Sequence, residues 1–197
     1  MNNYTEQAKR TCPYLGSDKL DLCHMVLGMN TEVIELKEAI VKEDIVNISE
    51  EVADICWYIS NYFLFRQIPS NDLIYSYITF DSEYNYLKSK VNSNSTFLDY
   101  YLIVENPVQY LFSNISELQD LIKKNIAYNK SIDLQKELTY TKNIIRTCMS
   151  IAKRHKFSLD KALENNINKL KARFPDKFTE ENAINRDLEA ERKELEK

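Results

Sequence analysis

Residues 24–59 read HMVLGMNTEVIELKEAIVKEDIVNISEEVADICWYI, and this stretch decides the fold class. Apolar residues Leu22, Met25, Met29, Leu36 and Ile40 recur at helical spacing, and Glu32 falls within their stripe. Residues 52–65 are nearly all apolar, with Asp54 the single charge among them. Two acidic pairs, Glu32/Glu35 and Glu51/Asp54, are each spaced i, i+3, so each pair shares one face of its helix. A carboxylate on a core-facing stripe is costly to bury unless a cation or hydrogen-bond donor compensates it. Four such groups on adjacent helices repel one another, and a hard divalent cation relieves that. Mg²⁺ takes oxygen ligands and keeps waters that substrate phosphates can replace. A solvated surface is the competing reading of such pairs, since Glu35/Glu38 and Glu191/Glu194 repeat the spacing in a chain that is 28% charged.

Composition points the same way. Two glycines and four prolines in 197 residues leave little material for tight hairpins, and 44% apolar residues supply a sizeable core. The expectation is a single all-α domain over residues 1–197. A net charge of −4 argues against a nucleic-acid polymer as partner. Cys12, Cys23, Cys56 and Cys148 lack metal-ligand spacing and read as reduced thiols of a cytoplasmic protein. No signal peptide opens the chain and no apolar run spans a membrane.

Punctuation divides the chain. A short helix stops near Pro13, and Ser17 or Asp18 caps a helix reaching about Lys42. Gly28 within it marks close packing. After a break at 44–47, Ser49 and Glu50 open the second acidic helix, which ends near Arg66. Residues 18–66 thus form a metal-binding helix pair. The tyrosine-rich stretch 70–105 reads as a helical insert. Residues 107–127 and 131–155 read as a second helix pair, 159–173 as a further helix, and Thr179 onward as a charged C-terminal helix.

The two halves align. SNISELQDLIKKN (113–125) lies over TEVIELKEAIVKE (31–43), and QKELTYTKNII (135–145) over SEEVADICWYI (49–59). Glu117 then corresponds to Glu35 and Glu137 to Glu51, whereas Asn114 replaces Glu32 and Tyr140 replaces Asp54. The expectation is a pseudo-duplicated four-helix bundle with one complete acid set and one degenerate set.

These residues resemble the MazG-like all-α nucleoside triphosphate pyrophosphohydrolases, whose metal signature is an ExxE pair followed by ExxD on the next helix. Here the pairs are Glu32-Val-Ile-Glu35 and Glu51-Val-Ala-Asp54, with flanks HMVLGMNTEVIE and EEVADICWYI similar to those of phage and bacterial members. The tail NINKLKARFPDKFTEENAINRDLEAERKELE (166–196) is also similar, and IKKNIAYNKSID (122–133) resembles the family's connection between its acidic helices. The matches cover somewhat more than half of the chain; 70–105 has no counterpart. The resemblance implies hydrolysis of a (deoxy)nucleoside triphosphate to the monophosphate and diphosphate. It places Mg²⁺, with Mn²⁺ as a substitute, on Glu32, Glu35, Glu51 and Asp54. One of these acids or Glu50 would serve as general base, the choice staying open. Asn166, Lys169 and Arg173, at i, i+3, i+7 on one helix face, suit phosphate oxygens; a wet helix face is the alternative. Lys123 and Lys124 are weaker candidates for the same role. Trp57 and Tyr58 read as core rather than base pocket, and His24 and His155 lack a Ser or Cys partner for catalysis.

Two other function classes stay open: a non-catalytic protein that sequesters a nucleotide, and a helical adaptor whose acids are surface. The expected assembly is a homodimer or a self-contained pseudo-dimer.

Overall fold

Side-chain caps start almost every helix. The computed structural model describes residues 4–68 and 106–197, and among these residues the chain is all-α. Its helices are α1 (Tyr4–Arg10), α2 (Asp18–Val41), α3 (Ile45–Phe65), α4 (Pro107–Tyr128), α5 (Leu134–His155), α6 (Leu159–Arg173), α7 (Glu180–Ile184) and α8 (Leu188–Leu195). Ser17, Asp44, Asn106, Asp133, Ser158, Thr179 and Asp187 each accept a hydrogen bond from the backbone N–H three residues on. Each cap satisfies a donor that the helix cannot.

Two expectations about boundaries shift for this reason. Asp44 caps α3, so the helix begins at Ile45 and most of the expected break at 44–47 is already helical. The C-terminal helix is two short pieces, because Asp187 caps a fresh start after Asn185 and Arg186. The insert expected at 70–105 lies outside the described residues.

Helices α2 and α3 form one hairpin and α4 and α5 another. The hairpins pack α2 against α4 and α3 against α5. The two hairpins thus pack together as four helices. Met25, Met29, Val33 and Leu36 of α2 meet Ile48, Val52, Ile55 and Ile59 of α3, all fully buried, and Leu111, Ile115, Ile144 and Ile151 complete the core. Burying each such side chain contributes about 1.5–3 kcal/mol. Gly28 is where the α2 backbone admits the Tyr58 ring: a Cβ there would fall on the ring atoms. All four cysteines are free thiols, Cys56 and Cys148 buried in the core. No helix among the described residues is long and apolar enough to cross a membrane.

Outside the bundle, α6 lies on α3, α8 on α6, and α1 against both α3 and α6. The buried Tyr4 hydroxyl lies 3.3 Å from the Ala53 carbonyl and 3.3 Å from Asn166 Oδ1, either of which accepts its proton. Arg10 Nη1 donates to the carbonyls of Phe174 (2.7 Å) and Asp176 (2.6 Å), fastening the loop after α6 to α1.

Candidate functional site

The acidic faces of α2 and α3 look toward α6 across a cleft of about 560 Å³, a volume suited to a small-molecule ligand. Glu32, Glu35, Glu50, Glu51 and Asp54 line one wall; Lys169, Arg173 and Arg186 line the other. The i, i+3 spacing on each helix brings the acids together, as the sequence led us to expect. One carboxylate oxygen each from Glu32, Glu35 and Glu51 lies within 4.8 Å of the others. Three hard oxygen donors at that spread fit a divalent cation bound at roughly 2.0–2.6 Å.

The electrostatics record the cost of this arrangement. Burial raises the pKa of Glu32, and the neighbouring Asp54 adds to it. Glu51 is pushed up further by burial, by Asp54 and by its hydrogen bond with Glu32. Both shifts mean that the folded chain resists full ionisation of the cluster, and a bound cation would remove that resistance.

Asp54, the fourth expected ligand, is engaged differently. Its Oδ1 accepts from Asn166 Nδ2 (2.5 Å) and its Oδ2 from Lys169 Nζ (2.5 Å). Lys169 also donates to Glu50 Oε1 at 3.1 Å. The Lys169 side chain is only 3% exposed. Burial disfavours its ammonium, but Asp54 and Glu50 outweigh that and raise its pKa. The face carrying Asn166, Lys169 and Arg173 is therefore not a wet helix surface. Asn166 is fully buried behind the cleft wall, bonded to Asp54; Lys169 and Arg173 reach the cleft. Arg173 is held by Glu191 of α8 through Nε (2.9 Å) and through Nη2. Lys123 and Lys124 pair with Asp120 on α4 and do not line the cleft.

Aromatic rings close the third side. Trp57 and Tyr58 are largely buried yet both line the cleft, together with Tyr14, Phe174 and Phe178. Trp57 Nε1 donates to Thr11 Oγ1 at 3.1 Å, which fixes the indole. His24 packs edge-on to Tyr58 and also faces the cleft. Burial lowers its pKa against the opposing pull of Asp21, favouring the neutral ring. His155 does not line the cleft.

Sequence reasoning missed Arg186, Glu191 and the α1–α2 connection as parts of this site, and weighed His24 only as a catalytic group. Arg186 and Glu191 lie in a segment whose composition reads as solvated tail. Their one signal was the pair of cations, at 173 and 186, flanking a proline-bearing loop. In the second half, Glu137 and Glu117, which the sequence alignment sets against Glu51 and Glu35, have protein partners. Glu137 is fully buried and accepts from Arg66 Nε (2.6 Å), Arg66 Nη2 (2.9 Å) and the Tyr62 hydroxyl. Tyr140, at the position equivalent to Asp54, donates to Glu117 at 3.2 Å.

The cleft can thus present three kinds of contact to one ligand: oxygen donors for a cation, cations for an anion, and flat rings for an apolar plane. No protein-family model, curated protein or solved structure matches this chain.

Proposed function

We propose that this chain is a Mg²⁺-dependent nucleoside triphosphate pyrophosphohydrolase, converting a (deoxy)nucleoside triphosphate and water to the monophosphate and diphosphate. One observation carries the reading: the Glu32/Glu35/Glu51 oxygens, the Lys169 and Arg173 cations and an aromatic wall line the same cleft. Glu32, Glu35 and Glu51 would hold the metal, with Asp54 beside them; when bound, Mg²⁺ neutralises phosphate oxygens and acidifies water.

The chain's own groups do the rest. Lys169 and Arg173 bind the phosphate oxygens and draw charge toward the leaving diphosphate. An acid of the cluster takes the proton of the attacking water as its oxygen bonds to phosphorus and the phosphoanhydride bond breaks. Glu50 lines the cleft and is available for that role, its carboxylate accepting a hydrogen bond from Lys169. Asp54 orients Lys169, and Asn166 orients Asp54. The aromatic wall receives the base and excludes water.

The test is diphosphate release from a panel of ribo- and deoxynucleoside triphosphates with Mg²⁺, comparing wild type with Asp54→Asn. Expected is release by the wild type and loss of at least two orders of magnitude in the variant, assayed below the variant's own melting temperature. No release from any substrate sinks the reading. A second reading, nucleotide capture without turnover, draws on the engagement of both Asp54 oxygens by Asn166 and Lys169. Nucleotide binding in the absence of release would select it.

A further inference from the structure

Arg173 and Arg186 both line the cleft, although they come from different elements: the last turn of α6 and the turn between α7 and α8. Two like charges that close repel unless an anion lies between them. Glu191 is that anion. It is 3% exposed and does not line the cleft. It accepts from Arg173 through Nε and Nη2, and from Arg186 through Nη2 (2.7 Å) and Nε (3.3 Å). Each guanidinium thereby turns its Nε–Nη2 edge to Glu191. The Nη1 groups have no acceptor among the described residues. A guanidinium has five N–H donors in a fixed fork, so donors remain on both for a ligand.

We propose that Arg173 and Arg186 form a two-guanidinium clamp for the outer phosphates of a polyphosphate ligand, and that Glu191 is the positioning residue that aims both. The trio carries a net +1 and Lys169 adds a further cation on the same wall. That wall faces the carboxylate cluster across the cleft, so a chain of linked phosphates bridges metal and clamp where a single carboxylate or orthophosphate reaches one of them. Paired forks favour phosphate oxygens over point contacts. The clamp deepens the pyrophosphohydrolase reading and rests on it only for the nucleoside end of the ligand. Helix α8 has its own anchors: Arg192 Nη1 donates to Asn47 Oδ1 (2.6 Å), and the Leu195 carbonyl accepts from Asn165 Nδ2 (3.1 Å). Neutralising Glu191 therefore leaves α8 docked and isolates the positioning role.

The experiment is calorimetric titration of the full chain with inorganic tripolyphosphate in Mg²⁺, using wild type, Arg186→Ala, Arg186→Lys and Glu191→Gln. Arg186→Ala is expected to weaken binding about tenfold or more, from the loss of charge-assisted hydrogen bonds. Lys at 186 should restore part of it. Glu191→Gln removes a negative charge near a polyanion, so Coulomb attraction alone predicts tighter binding, whereas a misaimed clamp predicts weaker. Tighter binding in Glu191→Gln overturns the positioning role. Wild-type affinity in a folded Arg186→Ala, or no tripolyphosphate binding by wild type, overturns the clamp. Nucleotide turnover measured in parallel separates the two ideas. Binding that Arg186→Ala abolishes, without turnover, keeps the clamp and removes the hydrolase reading. Turnover without such binding does the reverse.

Discussion

Lys169 is the residue on which the cleft depends, because among the described residues it forms ion pairs with both Asp54 and Glu50 from the opposite wall. Removing one member of a buried pair leaves the others uncompensated, at about 3–5 kcal/mol. Lys169→Met should therefore lower the melting temperature in EDTA, and Mg²⁺ should recover part of the loss. A variant that melts like wild type in EDTA would contradict this. Glu191 gives a pH signature. Burial pushes its carboxyl up, but hydrogen bonds from Arg173 and Arg186 outweigh burial and hold it at about 2, below an ordinary value near 4.5. A depressed folded pKa stabilises the folded state above the unfolded pKa, and the gain fades as pH falls through the folded one. Wild type should lose stability between about pH 4.5 and about pH 2, and acid melts of Glu191→Gln should lack that component. The acid pairs were legible from sequence because i, i+3 spacing is a local property. The Lys169–Asp54 and Arg186–Glu191 partnerships were not. The first joins residues 115 apart in the chain, and the second depends on a helix break that leaves no periodic trace.

At the scale of the element, Gly28 and Lys156 make opposite tests. Ala is about 1 kcal/mol better than Gly inside a helix, yet at Gly28 the added Cβ meets the Tyr58 ring. Gly28→Ala is expected to destabilise by about 1–3 kcal/mol through overpacking. In a Tyr58→Ala background the same change should stabilise, and a double-mutant cycle on urea midpoints reads the reversal. Lys156 ends α5 with φ 61°, the left-handed conformation that costs a non-glycine residue about 1–2 kcal/mol. Lys156→Gly should raise the urea midpoint by the equivalent of about 1 kcal/mol with an unchanged slope. Helix α6 coincides with the span read from sequence, since Ser158 and Pro175 punctuate both ends. The start of α3 and the division of the last helix were hidden, because Asp44 and Asp187 cap helices as readily as they fill loops.

For the whole molecule, the aligned halves place Glu137 where Glu51 stands in the first copy, and the fold pairs the two hairpins that carry them. The alignment marked Glu137 as the counterpart of Glu51. It gave no sign of what meets it, because Arg66 and Tyr62 lie on α3, in the other hairpin. Arg66→Met should cost about 3–5 kcal/mol by stranding the buried Glu137. Replacing Glu137 with Leu in the same chain should recover most of that loss in a denaturant melt. The two ends of the bundle therefore hold their counter-charges on different terms. Glu32, Glu35 and Glu51 share the cleft with solvent, and whatever neutralises them arrives from solution and leaves by dilution. Arg66 is tethered to α3, so its concentration at Glu137 is set by chain geometry and not by the medium. A cation held at the first end would yield to dialysis or a chelator; neither has a hold on the second.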